Sequence, residues 1–353
     1  MIKRDGKALY YEEWLEWMKK NGQPSYRAKQ IFSWIHQKNI TDFSQASNIP
    51  STLISKLKEE IYINCTKIRK KLVSAQDDTV KYLYMLEDGE EIETVFMSYS
   101  YGNSVCISSE VGCAMGCSFC ASTKAGLIRR LTASEMLDQV YKTESDLNKP
   151  ISHIVVMGIG EPLDNIDELV RFLRLISHPN GRNISLRNIT VSTCGLVDKI
   201  YKLAEYKLPI TLAISLHAPN DMLRSKTMPI NKRYNIDELL KACRYYFKTT
   251  RRRITFEYAC IEGCNDSVFN AKELANKLQG FTCHVNLIPV NPIEEQSYTP
   301  SSGRRIKKFA SILASAGIAV TIRRSLGRDI EAACGQLRRK SYKDKNNGKE
   351  AAF

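Results

Sequence analysis

From about residue 100 onward, short apolar runs alternate with longer stretches in which apolar residues recur every three or four positions. The short runs predict strands, and the longer amphipathic stretches predict helices. The predicted strands cover residues 104–109, 153–157, 188–193, 209–216, 254–260, 283–289 and 318–323. The predicted helices between them cover residues 133–147, 167–176, 196–206, 236–247, 268–278 and 305–315. This alternation predicts an α/β fold with six βα units, an incomplete barrel whose chemistry lies at the carboxyl ends of the strands.

The first 95 residues follow a different pattern. Residues 26–34 read YRAKQIFSW and place Ala28, Ile31 and Phe32 on one helical face, and residues 41–57 predict a second short helix. Residues 62–86 are richer in β-branched and aromatic side chains, and 81–86 alternate as a strand does. We therefore predict a small N-terminal helical accessory domain with a strand extension (1–95), a barrel core (96–337) and a basic tail (338–353).

The charge indicates an anionic partner. Lys and Arg number 52 against 38 Asp and Glu, a formal net charge of +14. The positive residues form runs at 67–71, 251–253 and 304–308. A single run is often only a solvated surface, but several runs together with the net excess favour nucleic acid. The composition and the lack of a bilayer-length apolar run exclude disordered and membrane classes, and we expect a cytoplasmic protein.

Three of the eleven cysteines, Cys113, Cys117 and Cys120, form a C-x3-C-x2-C pattern just after the first predicted barrel strand. In a reducing compartment such clustering indicates metal binding or catalysis rather than disulfides. Three thiolates at this spacing suit a 4Fe-4S cluster and leave one iron open to a small molecule. The alternative is a zinc site whose fourth ligand lies elsewhere in the chain.

A second motif, MGIGEP, lies at residues 157–162 where the next predicted strand ends. Its glycines allow a ligand to approach the backbone closely, and the carboxylate of Glu161 could pair with an amine. Taken alone, the same sequence is better explained by a plain strand-to-helix turn with Glu161 near the helix N-terminus.

The motifs together resemble one family closely. In order along the chain they read CISSEVGCAMGCSFC, MGIGEP, VSTCG, SLHAPND, MPIN, VNLIPVNP and DIEAACGQL. This series is similar to the RlmN/Cfr family of radical S-adenosylmethionine RNA adenine methyltransferases, and the similarity runs from about residue 23 to residue 337. The resemblance implies a partial (βα)6 TIM-like radical S-adenosylmethionine barrel.

The resemblance also implies roles for particular residues. Cys113, Cys117 and Cys120 correspond to the 4Fe-4S ligands. The positions that correspond to S-adenosylmethionine contacts are Gly160, Glu161, Ser192, Ser215, Leu216, His217 and Asn291. Cys334 corresponds to the cysteine that becomes S-methylated, Cys106 to the resolving cysteine that forms a transient disulfide with it, and Glu93 to the proton acceptor.

The implied reaction methylates carbon 2 of adenosine in 23S ribosomal RNA, at the peptidyl-transferase centre, and in transfer RNA beside the anticodon. It would consume two S-adenosylmethionine molecules, and pass through S-methylcysteine, a 5′-deoxyadenosyl radical and a covalent RNA adduct. The motif here reads GEP, with Pro162, and so resembles the carbon-2 branch of the family. The corresponding motif of the carbon-8 enzymes resembles GEA. Methylation at carbon 8, a non-catalytic zinc-stabilised RNA-binding protein and a radical enzyme acting on a small molecule stay open as alternatives.

The partners implied are ribosomal and transfer RNA and an electron donor such as flavodoxin, with no membrane and with the protein acting as a monomer. For RNA contacts we select basic side chains from two of the runs. They are Lys67, Arg69, Lys70, Lys71, Arg251, Arg252 and Arg253.

Overall fold

The computed structural model describes residues 3–293, 296–324 and 326–337, and over these residues most strands belong to one large sheet. The strands are β1 (Arg4–Asp5), β2 (Ile61–Tyr62), β3 (Lys67–Val73), β4 (Val80–Met85), β5 (Glu91–Tyr99), β6 (Gly102–Ile107), β7 (Glu110–Gly112), β8 (Leu127–Arg130), β9 (His153–Val156), β10 (Ile189–Thr193), β11 (Thr211–Ser215), β12 (Ile254–Cys260), β13 (Cys283–Pro289) and β14 (Ala319–Ile322). The large sheet has ten strands in the order β14-β13-β12-β11-β10-β9-β6-β5-β4-β3. The basic tail predicted at 338–353 lies outside the described residues.

The helices are α1 (Tyr11–Lys20), α2 (Tyr26–His36), α3 (Ser51–Glu60), α4 (Ala133–Leu147), α5 (Ile166–Ile176), α6 (Val197–Glu205), α7 (Asp221–Thr227), α8 (Ile236–Thr250), α9 (Val268–Leu278) and α10 (Gly303–Ser315). Several helices of the predicted βα units begin at strong N-caps, whereas α5 and α6 have no side-chain cap. Thr132 and Glu135 form a capping box before α4, and Asn235 and Glu238 form one before α8, so each pair satisfies backbone donors that the first turn leaves free. No helix in the described part of the chain is long and apolar enough to cross a membrane.

The parallel half of the sheet forms the partial barrel. β6 pairs in parallel with β9, and the parallel pairing continues through β10, β11, β12 and β13 to β14. The inner strands are almost wholly apolar where they are buried, as is typical of parallel strands covered on both faces. The α/β prediction and the predicted barrel strands and helices are confirmed.

The N-terminal helices pack into the same hydrophobic core as the barrel. Trp14, Phe32 and Phe43 are buried there, and Trp14 meets Phe43 edge to face. The predicted helix over 41–57 is wrong in its first half. Only a single 3-10 turn forms around Phe43, and α3 starts after Pro50, whose missing N–H suits a helix start and not a helix interior.

The antiparallel half of the sheet joins these helices to the barrel. β3, β4 and β5 run antiparallel to their neighbours, and β5 pairs with β6, the first barrel strand. Residue 95 falls within β5, so the strand extension and the barrel share one sheet. The domain limits taken from the sequence stay a prediction.

After β14 the chain forms an irregular segment, which we call the C-terminal loop (residues 326–337). It contains one short 3-10 turn, Arg328–Ile330, and otherwise no helix or strand. This loop carries Cys334 back toward the carboxyl ends of the barrel strands.

Candidate active site

The three clustered cysteines lie on a loop between β7 and β8, next to the carboxyl end of β6. Gly112 has a φ of +78°, and a Cβ atom there would lie 1.8 Å from the carbonyl oxygen of Gly126. Cys113 N donates to that same oxygen at 3.0 Å. Only glycine permits this close approach, which fixes the loop at its first cysteine.

Cys113, Cys117 and Cys120 all line one cavity with an empty volume of about 980 Å³. All eleven cysteines lie within the described residues and are free thiols. Burial raises the pKa of Cys117 to about 12, and burial also raises the pKa of Cys113 and of Cys120. Soft sulfur donors in a shared wall are the ligands that an iron–sulfur cluster needs, so the residues present fit that group.

Among the described residues, no three His, Cys, Asp or Glu side chains converge as the ligands of a single metal ion do. A 4Fe-4S cluster asks for a different arrangement, because each cysteine thiolate binds its own iron.

Glu161 follows β9, and each oxygen of its carboxylate accepts a hydrogen bond from a backbone donor. One oxygen accepts from Leu163 N at 3.0 Å and the other from Cys194 N at 2.7 Å. The first bond caps the 3-10 helix Pro162–Asn165, and the second ties the turn to the end of β10. Burial raises the pKa of Glu161. The hydrogen bonds of Glu161 within the protein are therefore those of the plain strand-to-helix turn that the sequence analysis gave as the alternative.

Most of the residues expected to contact S-adenosylmethionine share this cavity, since they lie at the carboxyl ends of successive strands. Those that line it are Gly160, Glu161, Ser192, Ser215, His217 and Asn291. Leu216 does not line it, because its side chain packs into the hydrophobic core. A cavity of this size with polar groups at several strand ends fits a ligand with an adenine, a ribose and an amino-acid group.

His217 is held as a neutral imidazole. Its Nδ1 accepts from Ala259 N at 2.9 Å, and its ring meets Phe119 edge to face. Burial, and then the charge of Arg224, lowers the pKa of His217 to about 3. A neutral ring with one nitrogen already used can offer a single polar contact to a ligand.

Cys106 and Cys334 line a second cavity, of about 500 Å³, next to the first. Cys106 lies on β6, and burial, followed by the neighbouring Cys334, raises its pKa to about 12. The carbonyl oxygen of Cys334 accepts from Asn291 Nδ2 at 3.0 Å, and Cys334 itself lines both cavities. The structure thus brings the two expected cysteines together beside the cluster-type cysteines.

Two arginines at the site were missed by the sequence analysis. Arg323 follows β14 and lines both cavities, and Cys334 is the main group that raises the pKa of its guanidinium. Arg224 is fully buried and donates to the carbonyl oxygens of Cys194 at 2.6 Å and of Leu216 at 3.2 Å. The position of Arg323 at the end of a barrel strand was a usable signal, whereas no local pattern marks Arg224.

Glu93 lines neither of these cavities. It lies on β5 opposite Leu83, on the sheet face shared by Val95 and Cys106, because residues two apart on a strand point the same way. Its carboxylate pairs with Lys81 at 3.3 Å, both side chains are buried, and both line a third cavity of about 250 Å³. Glu93 therefore shares a sheet face with Cys106 but lines the third cavity, whereas Cys106 and Cys334 line the second.

The selected basic residues fall at two distant places. Lys67, Arg69 and Lys70 lie on β3, the exposed edge strand, where Arg69 is 3.8 Å from Glu91. The next residue of the run, Lys71, pairs with an aspartate of α4 at 2.6 Å. The 251–253 run precedes β12 and contacts the start of β11, at the end of the barrel opposite the cysteines.

Comparisons with known proteins agree with this geometry. The model of the radical SAM superfamily matches residues 107–272, and that of the ribosomal RNA large subunit methyltransferase N-terminal domain matches residues 8–63. The crystal structure of a radical SAM methyltransferase from Sphaerobacter thermophilus superposes with a TM-score of 0.90, at 43% identity, over 95% of this chain and 99% of that one. Fold, cysteine loop and comparisons define this chain as a radical S-adenosylmethionine enzyme.

Curated relatives identify the family of radical S-adenosylmethionine enzymes to which this chain belongs. The chain is 52% identical over 339 residues to the probable dual-specificity RNA methyltransferase RlmN of Thermoanaerobacter sp. (strain X514), covering 96% of this chain and 99% of the relative. It is 52% identical over 350 residues to the protein of the same name from Alkaliphilus metalliredigens, covering 99% of both. The chain belongs to the RlmN family of radical S-adenosylmethionine RNA methyltransferases. Its family makes it an enzyme, and the non-catalytic zinc-stabilised alternative is wrong.

Proposed function

We propose that the protein methylates carbon 2 of an adenosine in large-subunit ribosomal RNA and in transfer RNA, with Cys334 as methyl carrier and Cys106 as resolving thiol. The observation that carries the proposal is the shared cavity of these two cysteines, which adjoins the cavity of the three clustered cysteines. A carrier thiol has to serve both the methyl donor and the base, and Cys334 lines both spaces.

Cys113, Cys117 and Cys120 would hold the 4Fe-4S cluster, and Gly160, Glu161, Ser192, Ser215, His217 and Asn291 would surround S-adenosylmethionine. When bound, these groups supply the methyl group and the one-electron chemistry that activates it, with two S-adenosylmethionine molecules used per turnover. Cys106, Cys113 and Cys117 are buried, which limits the access of water to that chemistry.

Cys334 accepts the methyl group on sulfur and is later joined through that carbon to the RNA base. Glu93 removes the proton from the base, and the ammonium of Lys81 offsets the cost of burying its charge. Cys106 then attacks the sulfur of Cys334, so that a disulfide forms and the carbon–sulfur bond breaks. The electron pair of that bond passes to the released base, whose CH2 carbon takes up a proton to become the methyl group; this balances the proton that the Cys106 thiol gives up.

Arg323 lines the cavity that Cys106 and Cys334 share. Its positive charge opposes part of the rise that burial causes in the pKa of Cys106, and so favours the thiolate with which Cys106 attacks. Exposed basic side chains of β3 would contact the RNA backbone, and an external donor such as a flavodoxin would deliver electrons to the protein, which we expect to act as a cytoplasmic monomer.

The test uses protein reconstituted with its cluster under anaerobic conditions, methyl-deuterated S-adenosylmethionine and unmodified large-subunit ribosomal RNA. The RNA is digested to nucleosides and compared by mass spectrometry with authentic 2-methyladenosine and 8-methyladenosine. Labelled 2-methyladenosine is the expected product. Labelled 8-methyladenosine would overturn the carbon-2 assignment while leaving the thiol roles intact, and absence of label from both ribosomal and transfer RNA would overturn the proposed substrates.

A further inference from the structure

The turn between β3 and β4 contacts the C-terminal loop through reciprocal hydrogen bonds. Asp329 of the loop accepts from Ser74 Oγ and from Ala75 N, both at 2.8 Å. Asp77 of the turn accepts from Gly327 N at 3.0 Å. Each segment therefore supplies one carboxylate to donors of the other, a pattern that fixes their relative position more firmly than a single bond would.

The two segments also approach too closely for side chains at one point. Gly327 has a φ of +61°, and a Cβ atom there would lie 2.8 Å from Thr79 Cγ2 and 2.7 Å from Ala332 Cβ. The carbonyl oxygen of Gly327 accepts from Ala332 N at 2.8 Å, so the loop folds back on itself at this place. The turn is thus packed against the loop and not only hydrogen-bonded to it.

A third contact comes from inside the sheet. Lys81, on β4, donates to the carbonyl oxygen of Glu331 at 3.0 Å and pairs with Glu93 at 3.3 Å. Lys81 and Glu93 are only 3% and 2% exposed. A buried ammonium therefore connects the expected base to the loop three residues before the expected carrier.

The other end of the loop is held by the barrel. Ala121 N donates to the carbonyl oxygen of Gly335 at 2.8 Å, and Ser122 Oγ donates to that of Leu337 at 2.7 Å. Both donors belong to the 3-10 turn that follows the clustered cysteines. Cys334 lies between the β3–β4 turn on one side and the cysteine loop on the other.

We propose that the β3–β4 turn is the docking site that positions Cys334, with Asp329 and Asp77 as its positioning residues. The inference rests on the proposed function of Cys334 as methyl carrier. A loop almost without regular secondary structure can hold a reacting sulfur in place only through such tertiary contacts, and small misplacements are costly for reaction rates. The outer strand of the same hairpin carries the basic residues Lys67, Arg69 and Lys70, so the docking site joins the proposed RNA surface to the carrier.

The test compares Asp329→Ala and Asp329→Asn with a matched control, Asp42→Ala. Asp42 makes the same kind of turn contact, accepting from Ser44 N at 2.8 Å and pairing with Lys58 at 2.6 Å, but in the N-terminal helical region. Hydrogen–deuterium exchange of the 326–337 amides and alkylation of Cys334 by iodoacetamide are measured on cluster-loaded protein without RNA. Neither readout depends on methylation.

Asp329→Ala should raise both loop exchange and Cys334 alkylation roughly ten-fold, since two hydrogen bonds to a charged acceptor are lost. Asp329→Asn, which keeps one acceptor oxygen, should give an intermediate increase, and Asp42→Ala should give none. In single-turnover methylation, Asp329→Ala should slow methyl transfer to RNA without loss of iron. Unchanged exchange and alkylation in Asp329→Ala would overturn the docking role, whatever RNA product the wild-type protein makes.

Discussion

Gly112→Ala is the sharpest test of how the cysteine loop is built. In the structure an alanine Cβ at this position would lie 1.8 Å from the carbonyl oxygen of Gly126, the residue just before the facing strand β8. That atom is backbone and cannot rotate away. β7 and β8 would have to separate, and Cys113, the next residue, would move with them.

The cost of Gly112→Ala in folding free energy has two parts. A non-glycine residue at φ of +78° costs about 1–2 kcal/mol. Separation of the strands also breaks the 3.0 Å bond from Cys113 N to Gly126 O, at a net cost of about 0.5–1.5 kcal/mol. The larger consequence is geometric, because the first of the three thiols leaves the position it shares with the other two.

Gly126→Ala is the matched control. Gly126 has a φ of +68°, but a Cβ there has no atom within 4 Å, so this variant carries the backbone strain without the clash. After identical anaerobic reconstitution, iron and acid-labile sulfide per chain should fall several-fold in Gly112→Ala and stay near the wild-type value in Gly126→Ala. Equal iron content in the two variants would refute the argument that this close approach fixes the cluster ligands.

The remaining predictions concern the two thiols and the buried arginine. Cys334→Ala should retain iron and yield no methylated adenosine, whereas Cys106→Ala should accumulate a covalent enzyme–RNA adduct that denaturing gels detect; normal turnover by either variant would contradict its assigned role. Burial raises the pKa of Cys106 from 9.0 to about 12, so the folded protein favours the protonated thiol. The stability that this preference contributes is complete below pH 9 and is lost as the pH rises toward 12. The unfolding free energy of the wild type should therefore fall relative to that of Cys106→Ser between pH 9 and 12, by about 1.4 kcal/mol per pH unit, in urea titrations at several pH values; parallel curves would contradict the shift. Arg224→Met should cost about 3 kcal/mol or more in unfolding free energy, since several buried carbonyl oxygens lose their donor, and should weaken S-adenosylmethionine binding measured by calorimetry. The exposed Arg233→Met serves as its control and should change neither.

The barrel could be predicted from the sequence because its strands are buried on both faces. Short apolar runs such as residues 154–156 in β9, separated by amphipathic helices, leave few alternatives to parallel βα units. The location of the three clustered cysteines could also be predicted, because active sites of barrel folds lie at the carboxyl ends of the strands.

The C-terminal loop shows why other parts could not be predicted. It has no helical or strand periodicity, and its position depends on contacts with residues some 250 positions earlier, between Asp329 and Ser74 and between Gly327 and Asp77. The motif identified Cys334 but not what holds it. Likewise, the ion pair of Glu93 with Lys81 depends on the register of β4 against β5, which the alternation of a single strand does not specify.

The error at residues 41–50 has a local cause. Phe43, Ala46 and Ile49 are buried and spaced three apart, which resembles a helical face. The same spacing suits tight turns of 3-10 type, and Pro50 ends this segment just before α3 begins. Periodicity alone does not separate these two conformations.

The pairing of β5 with β6 has a consequence for dissecting the molecule. β5 supplies hydrogen-bonding partners along β6 from Cys106 to Gly102, so the first barrel strand has no open edge on that side. A fragment that started near residue 100 would expose the unpaired backbone N–H and C=O groups of β6 to solvent, and such edges recruit strands from other chains. We therefore expect the barrel cut from its antiparallel extension to self-associate, and the smallest soluble fragment that contains the cysteines to begin before Lys67.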